Sequence, residues 1–273
     1  MRLALATQPA DPERENEDFA ATAPGAAVLL DGAGVSGAET GCTHGVAWFS
    51  RTLGALLLRN ITALPFRTLH ECLADAIGVV RSLHGDGCDL AYRASPTSTV
   101  VAARASGGAL EYLVLGDSSL LLADGDGGTT VVTDRRLDEV GKRLRGLVDA
   151  LPTGSPEHAA ALAEYRDALT GLRNRPDGFW IAGPDPKAAE HALTGTVPVD
   201  ALKSVSLLSD GATRLVDRFG LADWQQTVNV LGSFGPDHLI RRVREAEDSD
   251  PKGRRWPRGK ARDDATALHW TLS

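Results

Sequence analysis

The chain is predicted to fold as an α+β protein, and two patterns carry that reading. Short apolar runs of strand length recur as neighbours joined by turn signals, while helical patterns come in separate pairs. Strand pairs mixed with helix pairs, rather than one-for-one βαβ alternation, argue against a parallel sheet.

The first strand covers residues 26–30, an apolar run that ends at Asp31-Gly32. A helix follows over about 43–59, with Val46, Phe49, Leu53, Leu56 and Leu57 near helical spacing. Pro65 punctuates. A second helix covers 68–84, with Leu69, Leu73, Ile77 and Val80 on one face, and Gly85, Gly87 and Asp89 make a loop. Residues 99–105 and 110–123 read as consecutive strands joined by Ser106-Gly107-Gly108, a hairpin signal. Another short strand occupies 129–133. Residues 137–151 and 156–172 are helical by pattern; the second has Ser155 as N-cap and Pro156 at its first position. Residues 179–182 are apolar and short, and 186–193 suit a short helix. A buried strand over 205–208 runs into Ser209-Asp210-Gly211. Helices follow near 221–231 and 238–246, then a polar, basic loop over 248–262. The last strand, 265–272, opens at Asp263-Asp264. The first six residues offer only a short apolar run, too short for a secretory leader.

Composition bounds the function. The chain has 273 residues, with 42% apolar, enough for a sizeable core, and 24% charged. No repeat or long linker divides it, so one domain over 1–273 is expected. A net charge of −7 argues against nucleic-acid binding. Arg51 and Arg59 interrupt the richest apolar stretch, so no membrane span is expected. The three cysteines, Cys42, Cys72 and Cys88, are odd in number and lack zinc-like pair spacing. They suggest a reducing compartment, and a cytoplasmic protein is expected.

The informative feature is acidic residues at strand ends. Val28-Leu29-Leu30 runs into Asp31-Gly32, Val114-Leu115-Gly116 into Asp117, and Leu207-Leu208-Ser209 into Asp210-Gly211. Asp263-Asp264 opens a fourth strand, and Glu17-Asp18 precedes the first. Each Asp-Gly alone is an ordinary turn. Several carboxylates converging would raise one another's pKa, and a hard divalent cation removes that cost. The glycines following Asp31 and Asp210 allow close backbone approach.

The order Asn16-Glu17-Asp18, Asp31-Gly32-Ala33-Gly34, Gly116-Asp117-Ser118, Ser209-Asp210-Gly211 and Asp263-Asp264-Ala265-Thr266 resembles the bacterial type of the metal-dependent protein phosphatase 2C family. The resemblance implies a four-layer αββα sandwich of two antiparallel sheets flanked by helix pairs, with a helical flap at about 137–173. It implies two Mn²⁺ or Mg²⁺ ions per chain: Asp31 bridging both, the Gly32 carbonyl on one, Asp210 and Asp263 on the other. Glu17 and Asp18 would hold waters around the ions. The implied reaction is hydrolysis of phosphoserine and phosphothreonine esters by a metal-activated water, in signalling. The expected partner is a phosphorylated protein, with no nucleic acid or membrane, and the chain is expected to be a monomer.

Four positions depart from the family pattern. Glu13 stands where a phosphate-binding arginine is usual; Arg14, one residue on, would take that role after a small loop shift. Ala33 replaces a histidine found in some members, Ser119 an arginine, and Arg214 an aspartate that helps hold a third metal. Asp117 is then the main ligand left for a third site. These departures keep two alternatives in view: a catalytically weak phosphatase-like module that binds a phosphoprotein, and a small-molecule phosphate monoesterase. Cys42 and His44 are read as a helix start with a small buried thiol, with a ligand or acid role for His44 as the alternative. The remaining histidines show no metal-like spacing. The basic run 252–262 is read as a solvated loop that aids substrate capture, its last residue, Arg262, brought near the site by leading into Asp263.

Overall fold

The computed structural model describes residues 2–34 and 41–272. Strands β1 (Arg2–Gln8), β2 (Phe19–Ala23), β3 (Ala26–Leu30) and the two-residue β4 (Gly32–Ala33) precede helices α1 (Val46–Ala63) and α2 (Leu69–Leu83). Strands β5 (Thr97–Ser98), β6 (Val100–Ser106), β7 (Ala109–Leu115), β8 (Ser119–Asp124) and β9 (Thr129–Val132) come next. A helical insert holds α3 (Arg136–Leu144), α4 (Gly146–Asp149) and α5 (Pro156–Leu172). The chain closes with β10 (Leu193–Pro198), β11 (Leu202–Leu208), α6 (Asp210–Asp217), α7 (Trp224–Phe234), α8 (Pro236–Ser249) and β12 (Ala265–Thr271).

Two five-stranded antiparallel sheets form, in the orders β1-β12-β11-β8-β9 and β10-β7-β6-β3-β2, and β4 pairs with β5 in a small ladder beside them. Three apolar clusters stack them into four layers. Val28, Leu30, Val100, Ala102, Leu113 and Leu115 face α1 and α2. Their strand neighbours Ala27, Leu29, Val101, Ala103 and Val114 face Leu120, Leu122, Val205, Leu207, Leu268 and Trp270 of the other sheet. Leu121, Leu208, Ala265 and Ala267 then meet α6, α7 and α8. Side chains alternate faces along a strand, and here both faces are buried. That is why β3 reads as a continuous apolar run and why β6 opens with four apolar residues and β11 closes on Leu207-Leu208.

Residues 110–123, expected as one strand, are two strands in different sheets. The break is Gly116, at φ +87°, where a Cβ would lie 2.9 Å from Thr99 Cγ2. The chain crosses between sheets there, and Asp117 sits on the crossover. β1, β2 and β10 were not foreseen. They are edge strands with exposed or half-buried positions, so they lack a strong apolar signature. The basic segment 252–262 is less solvated than its composition suggests. Asp250 accepts backbone N–H bonds from Arg254, Arg255 and Trp256, and it pairs with Arg258, which is only 2% exposed. Among the described residues, no helix is long and apolar enough to cross a membrane.

Candidate active site

Each sheet delivers carboxylates to the same end of the sandwich. β3 ends at Asp31, whose backbone is clamped by the neighbouring strand: its carbonyl accepts from Thr99 N (2.9 Å) and Ser98 Oγ (2.9 Å). Gly32 N donates to the Glu17 carbonyl at 3.2 Å, in a space too tight for a Cβ. From the other sheet β11 runs into Ser209, and α6 starts at Asp210. Asp210 N lies 3.4 Å from Asp31 Oδ2, so the two segments meet directly. Gly211 packs so closely on the Asp264 carbonyl that a Cβ would come within 1.9 Å.

The paired acids before β12 divide their work. Asp264 turns inward and accepts from Ala10 N (2.7 Å) and Glu17 N (2.8 Å), tying the amino-terminal loop to the site. Asp263 lines the cleft together with Asp31, Gly32, Asp117 and Asp210. It is held by two cations: Arg214 at 2.8 Å and Lys260 at 2.6 Å. Arg214 also pairs with buried Glu247 at 2.6 Å, and Arg244 pairs with the same Glu247 at 2.7 Å. Arg214 is therefore locked at the back of the site by a network running from α8 to Asp263.

The electrostatics are one-sided. Burial pushes Asp31 well above its ordinary 3.8, and Asp18, Asp210, Asp263 and Asp117 add to the rise. Burial likewise raises Asp18 to about 8; the Thr266 and Ser209 side chains oppose the rise, while Asp264 and Asp210 add to it. Asp117 is raised to about 8 by burial and by Asp210. Asp210 rises through burial and Asp263, with Arg214 and Lys260 opposing. Asp263 goes the other way: burial would raise it, but Lys260 and Arg214 hold it low. Asp18 is 6% exposed, and neither carboxylate oxygen has a well-formed hydrogen bond among the described residues. Among those residues, no arginine, lysine or histidine forms an ion pair with Asp18, Asp31, Asp117 or Asp210.

Cations line the rest of the cleft. Lys260 reaches it from the basic loop, and Arg166 and Arg173 reach it from the helical insert, with Leu137, Leu169 and Thr170 beside them. Lys260 belongs to the basic run 252–262 that the sequence offered for substrate capture; Arg166 and Arg173 were not singled out, because they sit in an insert without a motif. Arg14 is not among the residues lining the cleft: its side chain is 73% exposed and 3.8 Å from Asp11, although its charge reaches Glu17. Arg262 pairs with Asp248 on the surface.

Comparison with known proteins is decisive at the level of family. The family model for protein phosphatase 2C matches residues 15–241. The chain belongs to the protein phosphatase 2C family. No curated protein sequence matches the chain. Solved structures share its fold at low identity. The Ser-Thr phosphatase MsPP of Mycobacterium smegmatis, in complex with cacodylate, is 20% identical with a TM-score of 0.59, covering 100% of this chain and 99% of that one. The serine/threonine phosphatase PstP of Mycobacterium tuberculosis is 14% identical with a TM-score of 0.60, covering 100% and 98%. A PstP catalytic domain in complex with two manganese ions is 16% identical with a TM-score of 0.56, covering 99% and 97%.

The residues of this family member suit a hard divalent cation. The groups in the cleft able to ligate a metal are oxygens, the carboxylates Asp18, Asp31, Asp117 and Asp210 have no ion pair among the described residues, and Asp18 is buried without satisfying bonds. Asp263 is the exception, since Lys260 and Arg214 already neutralise it.

Proposed function

We propose that this chain is a metal-dependent serine/threonine phosphoprotein phosphatase working with Mn²⁺ or Mg²⁺. The observation that carries the reading is the convergence of Asp18, Asp31, Asp117 and Asp210, all pushed toward protonation by burial and mutual repulsion. A structural relative supports the metal, since the PstP catalytic domain was crystallised in complex with two manganese ions. Asp31, the Gly32 carbonyl, Asp210 and Asp263 would hold the two ions, with Glu17 and Asp18 beside them. Asp117 would serve a third, weaker site. When bound, such ions supply Lewis acidity that lowers the pKa of water and offsets phosphoryl charge.

The chain's own groups do the rest. Lys260, Arg166 and Arg173 present positive charge to a phosphate entering the cleft. Leu137 and Leu169 of the insert add an apolar side to the same cleft. Asp264 anchors the loop that carries Glu17 and Asp18, so their positions are fixed before substrate arrives. The insert would act as a flap; α3 and α5 both contribute to the cleft wall, which supports that reading.

A second reading, a phosphoprotein-binding module of weak activity, is favoured by one observation: Asp263 is occupied by Lys260 and Arg214. Hydrolysis of a phosphothreonine peptide and of an aryl phosphate, with Mn²⁺ and with chelator, separates the readings. Metal-dependent release of phosphate from the peptide is expected. Peptide binding without hydrolysis under any divalent metal would establish the second reading. Hydrolysis of small esters alone would point to a monoesterase.

A further inference from the structure

At the opposite ends of the α1–α2 hairpin's sequence, two short motifs converge away from the carboxylate cleft. Residues 41–45 lead into α1, and His84 and Cys88 follow the end of α2. The antiparallel helices place Cys42, His44, His84 and Cys88 together. Cys42 Sγ and Cys88 Sγ are 3.5 Å apart. His44 Nδ1 lies 3.4 Å from Cys88 Sγ and 3.8 Å from Cys42 Sγ. A ring nitrogen of His84 falls within 4.8 Å of the Cys42 and His44 ligand atoms.

Two independent features point to a ligand. His84 is 5% exposed, and its Nδ1 sits 2.8 Å from the Val80 carbonyl. A carbonyl only accepts, so Nδ1 carries the proton and Nε2 is left with its lone pair. That buried Nε2 has no hydrogen-bond partner among the described residues. The sulfurs, meanwhile, receive N–H donors: Thr43 N donates to Cys88 Sγ and His44 N to Cys42 Sγ, each at 3.4 Å. Thr43 Oγ1 adds a contact to Cys88 Sγ at 3.6 Å. These donors reach both sulfurs and would stabilise the thiolates that a bound metal creates, although burial holds the Cys42 thiol up. Trp48 stacks on the His44 ring at 4.2 Å and packs edge-on to His84 at 4.9 Å, so both imidazoles are held in place.

We propose that Cys42, His44, His84 and Cys88 form a structural zinc site, separate from the catalytic cleft. Tetrahedral zinc, with bonds of about 2.3 Å to sulfur and 2.0–2.1 Å to nitrogen, sets sulfur–sulfur separations of about 3.8 Å and sulfur–nitrogen separations of about 3.6 Å. The observed 3.5, 3.4 and 3.8 Å among Cys42, His44 and Cys88 match within the adjustment of a side chain; His84 stands farther out, grouped with Cys42 and His44 within 4.8 Å but not with Cys88, and its ring must move inward to complete the set. Two thiolates and two neutral imidazoles balance the Zn²⁺ charge, and binding releases the two thiol protons to solvent. The donor set selects zinc over the hard ions suited to the carboxylates. It also explains a local weakness. α1 starts at Gly45 without a side-chain cap, whereas α2 has a full capping box from Thr68 and Glu71. The metal would tie the uncapped start of α1 to the end of α2.

The test is a Co²⁺ titration of the reduced, chelator-treated full chain, followed by visible absorption. Tetrahedral cobalt with thiolate ligands absorbs strongly and shows sulfur-to-metal charge transfer; octahedral, oxygen-ligated cobalt at the catalytic centre absorbs weakly. We expect one equivalent of the intense bands in the wild type and in Asp31→Asn, bleached by Zn²⁺. The Cys42→Ser, Cys88→Ser double variant should retain less than about a tenth of the intensity. The proposal is overturned if the wild type gives only weak absorption. It is also overturned if the bands survive the double variant, or if a Cys42–Cys88 disulfide forms and the reduced protein takes up no cobalt. Should the double variant fail to fold, the wild-type titration and the zinc content of Asp31→Asn still decide.

Discussion

At the scale of single residues, the cleft sets carboxylates that lack counter-charge against one that has too much. Asp31 and Asp210 touch through the Asp210 N–H, and neither has a cation of its own among the described residues. Asp31→Asn or Asp210→Asn should therefore lower turnover by more than about 100-fold while the fold survives, because a lost metal ligand removes both activation and charge compensation. Steady-state kinetics with circular dichroism checks this; near-wild-type turnover with intact metal content would contradict it. Lys260 makes the opposite case. Its Nζ lies 2.6 Å from Asp263 Oδ1, where an incoming cation would have to compete. Lys260→Met should lower the Mn²⁺ concentration for half-maximal activity severalfold, and an unchanged metal dependence would show that Asp263 is not a ligand. The choice between phosphate-binding arginines can also be settled. Arg14 is exposed and beside Asp11, whereas Arg166 lines the cleft. Arg166→Ala should raise KM for a phosphopeptide and Arg14→Ala should leave both constants within about twofold; the reverse pattern would return the role to Arg14.

At the scale of elements, the strand-end aspartates were legible because both faces of β3 and of the end of β11 are buried, which makes the apolar stretches Ala26–Leu30 and Leu207-Leu208 and their abrupt ends conspicuous. The edge strands β1, β2 and β10 were not legible, since exposed faces carry no apolar period. The crossover at Gly116 was hidden for a different reason: β7 and β8 are equally apolar, and nothing in their composition says they belong to different sheets. A ligand role for His44 was an alternative in the sequence, but its grouping with Cys42, His84 and Cys88 was not legible, because the two pairs are divided by two helices and only the hairpin packing joins them. Gly211 gives this scale its own test. The start of α6 passes so near β12 that a Cβ would collide with backbone, which no rotamer can relieve. Gly211→Ala should cost at least about 2 kcal/mol and displace Asp210. A denaturation midpoint equal to the wild type would show that the two segments are not in this register.

At the scale of the whole molecule, the buried carboxylates couple folding to pH and to metal. Asp18 and Asp117 rise from 3.8 to about 8 on folding, and Asp31 and Asp210 shift in the same direction. A group whose pKa is raised by folding contributes stability below its unfolded value and loses it as pH climbs through the folded value. The metal-free chain should thus become less stable as pH rises from about 4 to about 8. Asp263, held low by Lys260 and Arg214, acts in the opposite sense and only at the acid end. Mn²⁺ should reverse the trend, because it binds the deprotonated ligands. Melting curves with Mn²⁺ and with chelator across that range test the sign, and a metal-free midpoint that rises with pH would contradict it. The sharpest test of a metal-dependent cleft is an anomalous difference map from a crystal soaked in Mn²⁺. It should show two strong peaks, one between Asp31 and the Gly32 carbonyl and one between Asp31 and Asp210, with a weak third or none near Asp117, because Arg214, where the family pattern has an aspartate, is committed to Asp263 and Glu247. A cleft without manganese peaks, in crystals where Asp31 and Asp210 are ordered, would refute the proposed chemistry.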